Sequence, residues 1–121
     1  MKKTILIVDD FPNTRFVVRF TLQNKGYSIL EASDGREALK FFDGRQIDLV
    51  ITDFHMPNMN GLDLIKEVRK IAQYQYIPIL VLTTETDQKA KDAASTSRVT
   101  GWVQKPFKME RFIIIVEKAL R

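Results

Sequence analysis

Three aspartates in this sequence directly follow short apolar runs, and their positions indicate a site for a divalent cation. Asp9 and Asp10 follow the run Thr4–Val8, and Asp53 follows the run that begins at Asp48. If these runs are parallel strands, the three carboxylates meet at one edge of the sheet, because ligands bind beyond the carboxyl ends of such strands. Neighbouring carboxylates repel one another. A hard cation with oxygen ligands, such as Mg²⁺, would keep them ionised together.

Two more polar side chains follow other apolar runs and extend this chemistry. Thr83 and Thr84 come after the fourth run, and Lys105 precedes Pro106 after the fifth. A cation with open coordination positions, beside a lysine point charge and a hydroxyl donor, suits a phosphoryl group. A carboxylate can act as a nucleophile and form an aspartyl phosphate. The residues therefore predict that Asp53 is a phosphoryl acceptor.

Helix and strand patterns alternate along the whole chain and would position these side chains. Short apolar runs rich in β-branched residues predict buried parallel strands. The strands are predicted over Thr4–Val8, Tyr27–Ala32, Asp48–Thr52, Ile77–Leu82 and Thr100–Gln104. Helices are predicted from Asn13 or Thr14 to Gly26, from Ser33 or Asp34 to Gly44, over Gly61–Ala72, from Thr86 or Asp87 to about Ser95, and over Phe107–Arg121.

Helical spacing also assigns faces to these helices. In the first helix it places Phe16, Val17, Phe20 and Thr21 on one side, and in the second Ala38, Leu39 and Phe42. In the third it groups Leu62, Leu64, Ile65, Val68 and Ile71. In the last it groups Met109, Ile113, Val116 and Leu120 with Phe112 alongside, and it points Ile114 away from that face.

Five strand–helix units predict an α/β fold with a doubly wound, five-stranded parallel sheet. Such alternation implies right-handed crossovers and helices on both faces of the sheet. A single small domain over residues 1–121 suits the flavodoxin-like (βα)5 arrangement with strand order 2-1-3-4-5. Strands one and three are then neighbours, which brings Asp9, Asp10 and Asp53 together.

Composition limits the classes of function. The chain has no cysteine, which excludes disulfides and thiolate metal sites. No apolar run reaches the roughly 20 residues that a membrane helix needs. The basic start is followed by only four apolar residues and two acids, so it is not a signal peptide, and we expect a cytoplasmic protein. The net charge of +4 comes from scattered lysines and arginines without a nucleic-acid-binding motif, and we interpret it as solvated surface.

The sequence as a whole resembles the receiver domains of two-component response regulators, close in size to the stand-alone chemotaxis type. The segments that carry the resemblance are the run at residues 5–10, Asp53, the loop Met56-Pro57-x-Met59-x-Gly61, Thr83, and Lys105-Pro106-Phe107. Each motif is weak alone, whereas five of them at the ends of the expected strands are a specific combination.

The resemblance implies a function and a role for each of these residues. Asp53 would accept a phosphoryl group from a sensor histidine kinase or phosphotransfer protein. Asp10, Asp53 and the backbone carbonyl of His55 would ligate Mg²⁺, with Asp9 acting mainly through water. Lys105 and Thr83 would bind the phosphoryl oxygens. Trp102 falls at the family's switch aromatic, which turns inward as the Thr83 hydroxyl moves towards the phosphate.

The face formed by the fourth helix, the fifth strand and the fifth helix would transmit the signal. An apolar residue directed away from the core, such as Ile114, can mark a contact surface. We expect this face to bind a downstream protein effector or a second copy of the chain. We expect neither nucleic-acid binding nor membrane insertion.

Three other functions fit parts of the pattern. A flavin-binding electron carrier shares the fold but needs phosphate-binding amides after the first strand, where this chain has Asp9 and Asp10. A phosphatase or phosphotransferase with an aspartate nucleophile commonly has a second acid two residues later, where this chain has His55. A binding module that works without phosphorylation would not need the acid, hydroxyl and lysine set. We therefore favour a switch that catalyses only its own phosphorylation and dephosphorylation.

Overall fold

The computed structural model describes residues 2–84 and 98–121. The described strands are β1 (Thr4–Val8), β2 (Ser28–Ala32), β3 (Leu49–Asp53), β4 (Ile79–Thr83) and β5 (Gly101–Gln104). The described α-helices are α1 (Pro12–Asn24), α2 (Gly35–Leu39), α3 (Gly61–Lys70) and α4 (Met109–Ala119), with a short 3₁₀ helix over Ala72–Tyr74. The fourth helix of the sequence prediction lies outside the described residues.

The five strands form one parallel sheet in the order β2-β1-β3-β4-β5. This order confirms the predicted fold class. In the register of the sheet, Val8 pairs with Thr52, and Asp53 pairs with Leu82. Asp9 and Asp53 therefore emerge side by side at the carboxyl edge, where the direction of the connections reverses.

The sheet separates two apolar layers, because neighbouring side chains on a strand point to opposite faces. One layer lies under α2 and α3 and includes Leu6, Val50, Val81, Leu64 and Val68. The other lies under α1 and α4 and includes Ile5, Ile51, Val18, Leu22 and Phe112. The strands between the two layers have almost no exposed side chains, which explains the continuous apolar runs in the sequence.

Helix α1 corrects the predicted face. Its buried residues are Val18 and Leu22. Phe16, Val17 and Phe20 are about half exposed, and the rings of Phe16 and Phe20 stack at 6.1 Å. This helix carries apolar residues on both sides, so spacing alone permits two orientations, and the structure places the smaller side chains against the sheet. The predicted caps were also wrong, because the helix begins at Pro12 without a side-chain cap.

Other helix boundaries differ in ways that local hydrogen bonds explain. The Asp34 side chain caps α2 by accepting from the Glu37 N–H at 2.8 Å, as predicted. The helix then ends at Leu39 instead of approaching Gly44, and its backbone continues in tighter turns. Helix α3 ends at Lys70 rather than Ala72, because Ile71 is extended and the 3₁₀ helix follows.

The last helix agrees with most of its predicted face, but Ile115 rather than Ile113 packs with Met109 and Leu120 against the layer under α1 and α4. Phe112 and Val116 are buried, and Ile114 is 54% exposed. Within the described ranges, no helix has the length and apolar character required to cross a membrane.

Candidate functional site

The ends of β1 and β3 bring three carboxylates into one cluster. Ligand oxygens of Asp9, Asp10 and Asp53 lie within 4.8 Å of one another. Asp9 is fully buried, Asp53 is partly buried and Asp10 is exposed, so the cluster opens to solvent on one side. Three hard oxygen donors at this spacing fit a divalent cation that retains water on its exposed side.

Hydrogen bonds fix the two less exposed carboxylates. Asp9 Oδ1 accepts from the Phe11 N–H, and Asp53 Oδ1 accepts from the Phe54 N–H, both at 2.9 Å. In each case the bonded amide lies one or two residues later in the same loop, so the turn itself orients the acid. The second oxygen of each carboxylate remains directed towards Lys105.

Lys105 contributes the positive charge at the centre of the site. Its Nζ lies 3.3 Å from Asp9 Oδ2 and 3.4 Å from Asp53 Oδ2. Its side chain is only 18% exposed, so these ion pairs are poorly screened by solvent. The Lys105 N–H donates to the Thr83 carbonyl at 2.8 Å, which ties the residue to the end of β4.

Thr83 ends β4, and Trp102 lies two residues before the end of the neighbouring β5. Thr83 is buried at the end of β4. Trp102 is partly buried on β5 and packs against the layer under α3, with its ring 6.0 Å from that of Phe54. Phe54 follows Asp53 directly, so the indole lies against the residue next to the acid.

His55 lies at the rim of the site. It is exposed, and its ring packs in a T-shaped contact with the Phe54 ring, with the ring centroids 4.8 Å apart. The role of its backbone carbonyl as a cation ligand remains a prediction.

The electrostatic environment makes Asp53 harder to ionise. Burial, followed by the negative charge of Asp9, raises the pKa of Asp53 above its ordinary value of 3.8, and Lys105 only partly opposes this. A bound divalent cation would reverse the balance, because it favours the charged form of the acid.

This pKa shift predicts how Asp53→Asn changes stability. Above pH 3.8 the unfolded chain releases this proton, whereas the folded protein retains it until its raised pKa is passed. Ionisation of Asp53 therefore reduces the stability of the metal-free protein as pH rises through that window. We expect metal-free Asp53→Asn to be more stable than wild type at neutral pH, with equal stability below pH 3.8.

Urea unfolding of both proteins between pH 3 and pH 8, in a chelator, measures this difference. Saturating Mg²⁺ should reverse the order, because wild type gains about 2.7 kcal/mol at 100 times the dissociation constant. A metal-free Asp53→Asn variant that is less stable at neutral pH would contradict the electrostatic interpretation.

Two residues behind the acids, Arg15 and Glu31, were not predicted from the sequence. Arg15 on α1 donates from Nη1 to the Asp9 carbonyl at 2.6 Å and from Nε to Glu31 Oε1 at 3.2 Å. Glu31 on β2 also pairs with Arg19 at 3.2 Å. An arginine within the first turns of a helix after an Asp-Asp pair only weakly indicates a contact with those acids. Its partner Glu31 is 16 residues away in the chain, so local sequence does not show the pair.

Comparison with known proteins gives one consistent result. Residues 5–117 match the family model described as the response regulator receiver domain. The chain is 38% identical over 104 residues to the chemotaxis protein CheY-3 of Vibrio cholerae, covering 85% of this chain and 80% of the relative. It is 39% identical over 105 residues to CheY1 of Helicobacter pylori, covering 85% of each protein.

Solved structures give the same result. The chemotaxis protein CheY4 of Vibrio cholerae superposes with a TM-score of 0.94 at 39% identity, covering 99% of this chain and all of the other. The response regulator TrrA of Thermotoga maritima, solved in complex with Mg²⁺–BeF, superposes with a TM-score of 0.85 at 37% identity. That match covers 98% of this chain and 99% of TrrA.

Proposed function

This chain belongs to the family of response regulator receiver domains, and we propose that Asp53 is the residue at which it accepts a phosphoryl group. Membership makes the protein a phospho-acceptor switch of a two-component system. The observation that carries the assignment to Asp53 is the pair of contacts from Lys105 Nζ to Asp9 and Asp53. Of these two acids, the Asp53 side chain is 15% exposed and that of Asp9 only 1%, so Asp53 is the one that a phosphoryl donor can reach.

The proposed reaction uses Asp53 as a nucleophile. One carboxylate oxygen attacks the phosphorus of a phosphohistidine, the phosphorus–nitrogen bond breaks, and an acyl phosphate forms on the side chain. Water later hydrolyses this bond and restores the acid. Lys105 lies where it can hold a phosphoryl oxygen, and the buried Thr83 is the hydroxyl at the same edge.

Asp9, Asp10, Asp53 and the His55 carbonyl are the groups that would hold Mg²⁺. When bound, the ion would neutralise charge on the phosphoryl oxygens. The spacing of the three carboxylate oxygens supports this choice of cation, as does their hard-donor chemistry.

We propose that the change is relayed from Thr83 to Trp102 and onward to β5 and α4. The contact between Phe54 and Trp102 supports this route, since Phe54 adjoins the acceptor. The exposed Ile114 supports an output surface on α4 for a downstream protein effector or a second copy of the chain. The fourth helix that the sequence predicts for this surface lies outside the described residues.

We further propose that the protein works in the cytoplasm and makes and breaks only its own acyl phosphate. A phosphatase acting on outside substrates would turn over small phosphate esters, and a flavin carrier would purify as a coloured protein. The flavin alternative does not explain why Lys105 lies against both Asp9 and Asp53.

Incubation with Mg²⁺ and acetyl phosphate tests the acceptor assignment. We expect intact-mass spectrometry to find one phosphoryl adduct in wild type, and none in Asp53→Asn or in the presence of a chelator. Beryllium fluoride with Mg²⁺ should change Trp102 fluorescence in wild type alone, because this is the only tryptophan in the chain. An adduct that persists in Asp53→Asn would refute the assignment.

A further inference from the structure

Arg15 connects helix α1 to the loop that carries two of the acids. Its guanidinium group donates to the backbone carbonyl of Asp9 at 2.6 Å and pairs with Glu31 on β2 at 3.2 Å. The Arg15 side chain is 22% exposed and that of Glu31 is 31% exposed, so both groups are substantially shielded. The arginine thus links a helix, a loop and a strand through two directional bonds.

The carbonyl that Arg15 binds belongs to the peptide unit between Asp9 and Asp10. A peptide unit is planar, so fixing its oxygen fixes the orientation of the whole plane. On one side of that plane, Asp9 is also held by its N–H, which donates to the Ala32 carbonyl at 3.1 Å. On the other side, the plane sets the direction in which the exposed Asp10 leaves the backbone.

We propose that Arg15, anchored by Glu31, is a positioning residue for the divalent-cation site. It orients the Asp9–Asp10 peptide so that both carboxylates converge with Asp53 on one ion. This inference rests on the proposed function, because it assumes that the acid cluster binds Mg²⁺. The described bond from Arg15 reaches Asp9 through its backbone carbonyl and not through its carboxylate.

Electrostatics alone predicts the opposite effect of removing this residue. A guanidinium close to the acid cluster repels a divalent cation, so its loss would tighten Mg²⁺ binding. Loss of a positioning bond would weaken binding instead, and outer groups that orient metal ligands typically contribute 10–100-fold to affinity. The sign of the change therefore separates the two effects.

Isothermal titration of the full chain with MgCl₂ measures that sign. We expect Arg15→Ala to bind Mg²⁺ about 10-fold more weakly than wild type, despite having one positive charge fewer. Arg15→Lys should also bind more weakly, because an ammonium has no planar fork to hold Asp9 and Glu31 together. Glu31→Gln retains the Arg15 guanidinium but weakens its anchor, and we expect an intermediate loss.

Arg19→Ala is the matched control. Arg19 pairs with the same Glu31 at 3.2 Å, but its hydrogen bonds in the described structure do not reach Asp9. Its removal deletes the same charge from the same helix and should leave Mg²⁺ affinity within about twofold of wild type. Melting curves in a chelator identify any variant that fails to fold, and Glu31→Gln then provides the test.

Two outcomes overturn different parts of the argument. If wild type binds Mg²⁺ while Arg15→Ala and Glu31→Gln bind it equally well or more tightly, the positioning role is wrong and the proposed function stands. If wild type binds no Mg²⁺, the cation site is wrong, and the role of Arg15 fails with it.

Discussion

Lys105→Met is expected to slow the reaction with acetyl phosphate by about 100-fold while Mg²⁺ binds at least as tightly as in wild type. Methionine retains much of the length of the side chain and removes its charge. Among the residues that the structure describes, Lys105 supplies the cationic group within 3.4 Å of both Asp9 and Asp53. Its loss removes the group that can hold a phosphoryl oxygen during transfer. The same loss relieves the repulsion between this ammonium and Mg²⁺.

The two measurements separate catalysis from metal binding. The rate of phosphorylation is measured from the growth of the phosphoryl adduct in intact-mass spectra over time. The affinity for Mg²⁺ is measured by calorimetric titration. Lys108→Met is the matched control, because Lys108 is exposed at the start of α4 and is absent from the ion pairs described at the site. Equal rates in the two variants would show that Lys105 does not take part in the reaction.

Gly61→Ala is expected to destabilise the protein by about 3 kcal/mol and to impair phosphorylation. Gly61 begins α3, and its N–H donates to the Phe54 carbonyl at 2.8 Å. A Cβ at this position would overlap the backbone carbonyl oxygen of Asp53 and lie 3.1 Å from Phe54 Cα. Backbone atoms cannot move aside as a side chain would, so the loop after the acceptor must shift.

Gly101→Ala provides the comparison for this substitution. The nearest atom to a Cβ there is Leu80 Cδ2 at 3.2 Å, the end of a flexible side chain. We expect a loss below about 1 kcal/mol in urea unfolding, with phosphorylation close to wild type. If both alanine variants are equally stable and equally active, the close approach of Gly61 to Asp53 has no functional importance.

Much of the fold was predictable because the strands carry strong local signals. The run Thr4–Val8 has four consecutive apolar residues and is followed by two acids, and β1 has these bounds. The parallel sheet followed from the alternation of elements, and the flavodoxin-like strand order that suits five such units placed Asp9, Asp10 and Asp53 together before any distance was known. The approach of Lys105 to two of these acids gives the site the charge distribution that the strand ends predict.

The parts that could not be predicted depend on contacts distant in sequence. Phe16 and Phe20 fit a buried helical face as well as Val18 and Leu22 do, and only the packing of α1 on the sheet shows that Val18 and Leu22 are the buried pair. Arg15 offers no periodic signal, because its importance depends on Glu31 on another strand. The conformation of the Asp9–Asp10 peptide likewise depends on groups outside its own segment.

The sheet divides the apolar interior into two layers, and this division limits where compensating substitutions can arise during evolution. Phe112 and Leu64 are both fully buried, yet they belong to different layers on opposite sides of the strands. A volume change at one of them is felt first by neighbours within its own layer, because close-packed side chains transmit strain through direct contact. Compensating substitutions should therefore arise on the same side of the sheet. The helices on each face can then evolve under largely separate constraints while the acid cluster at the carboxyl edge is retained.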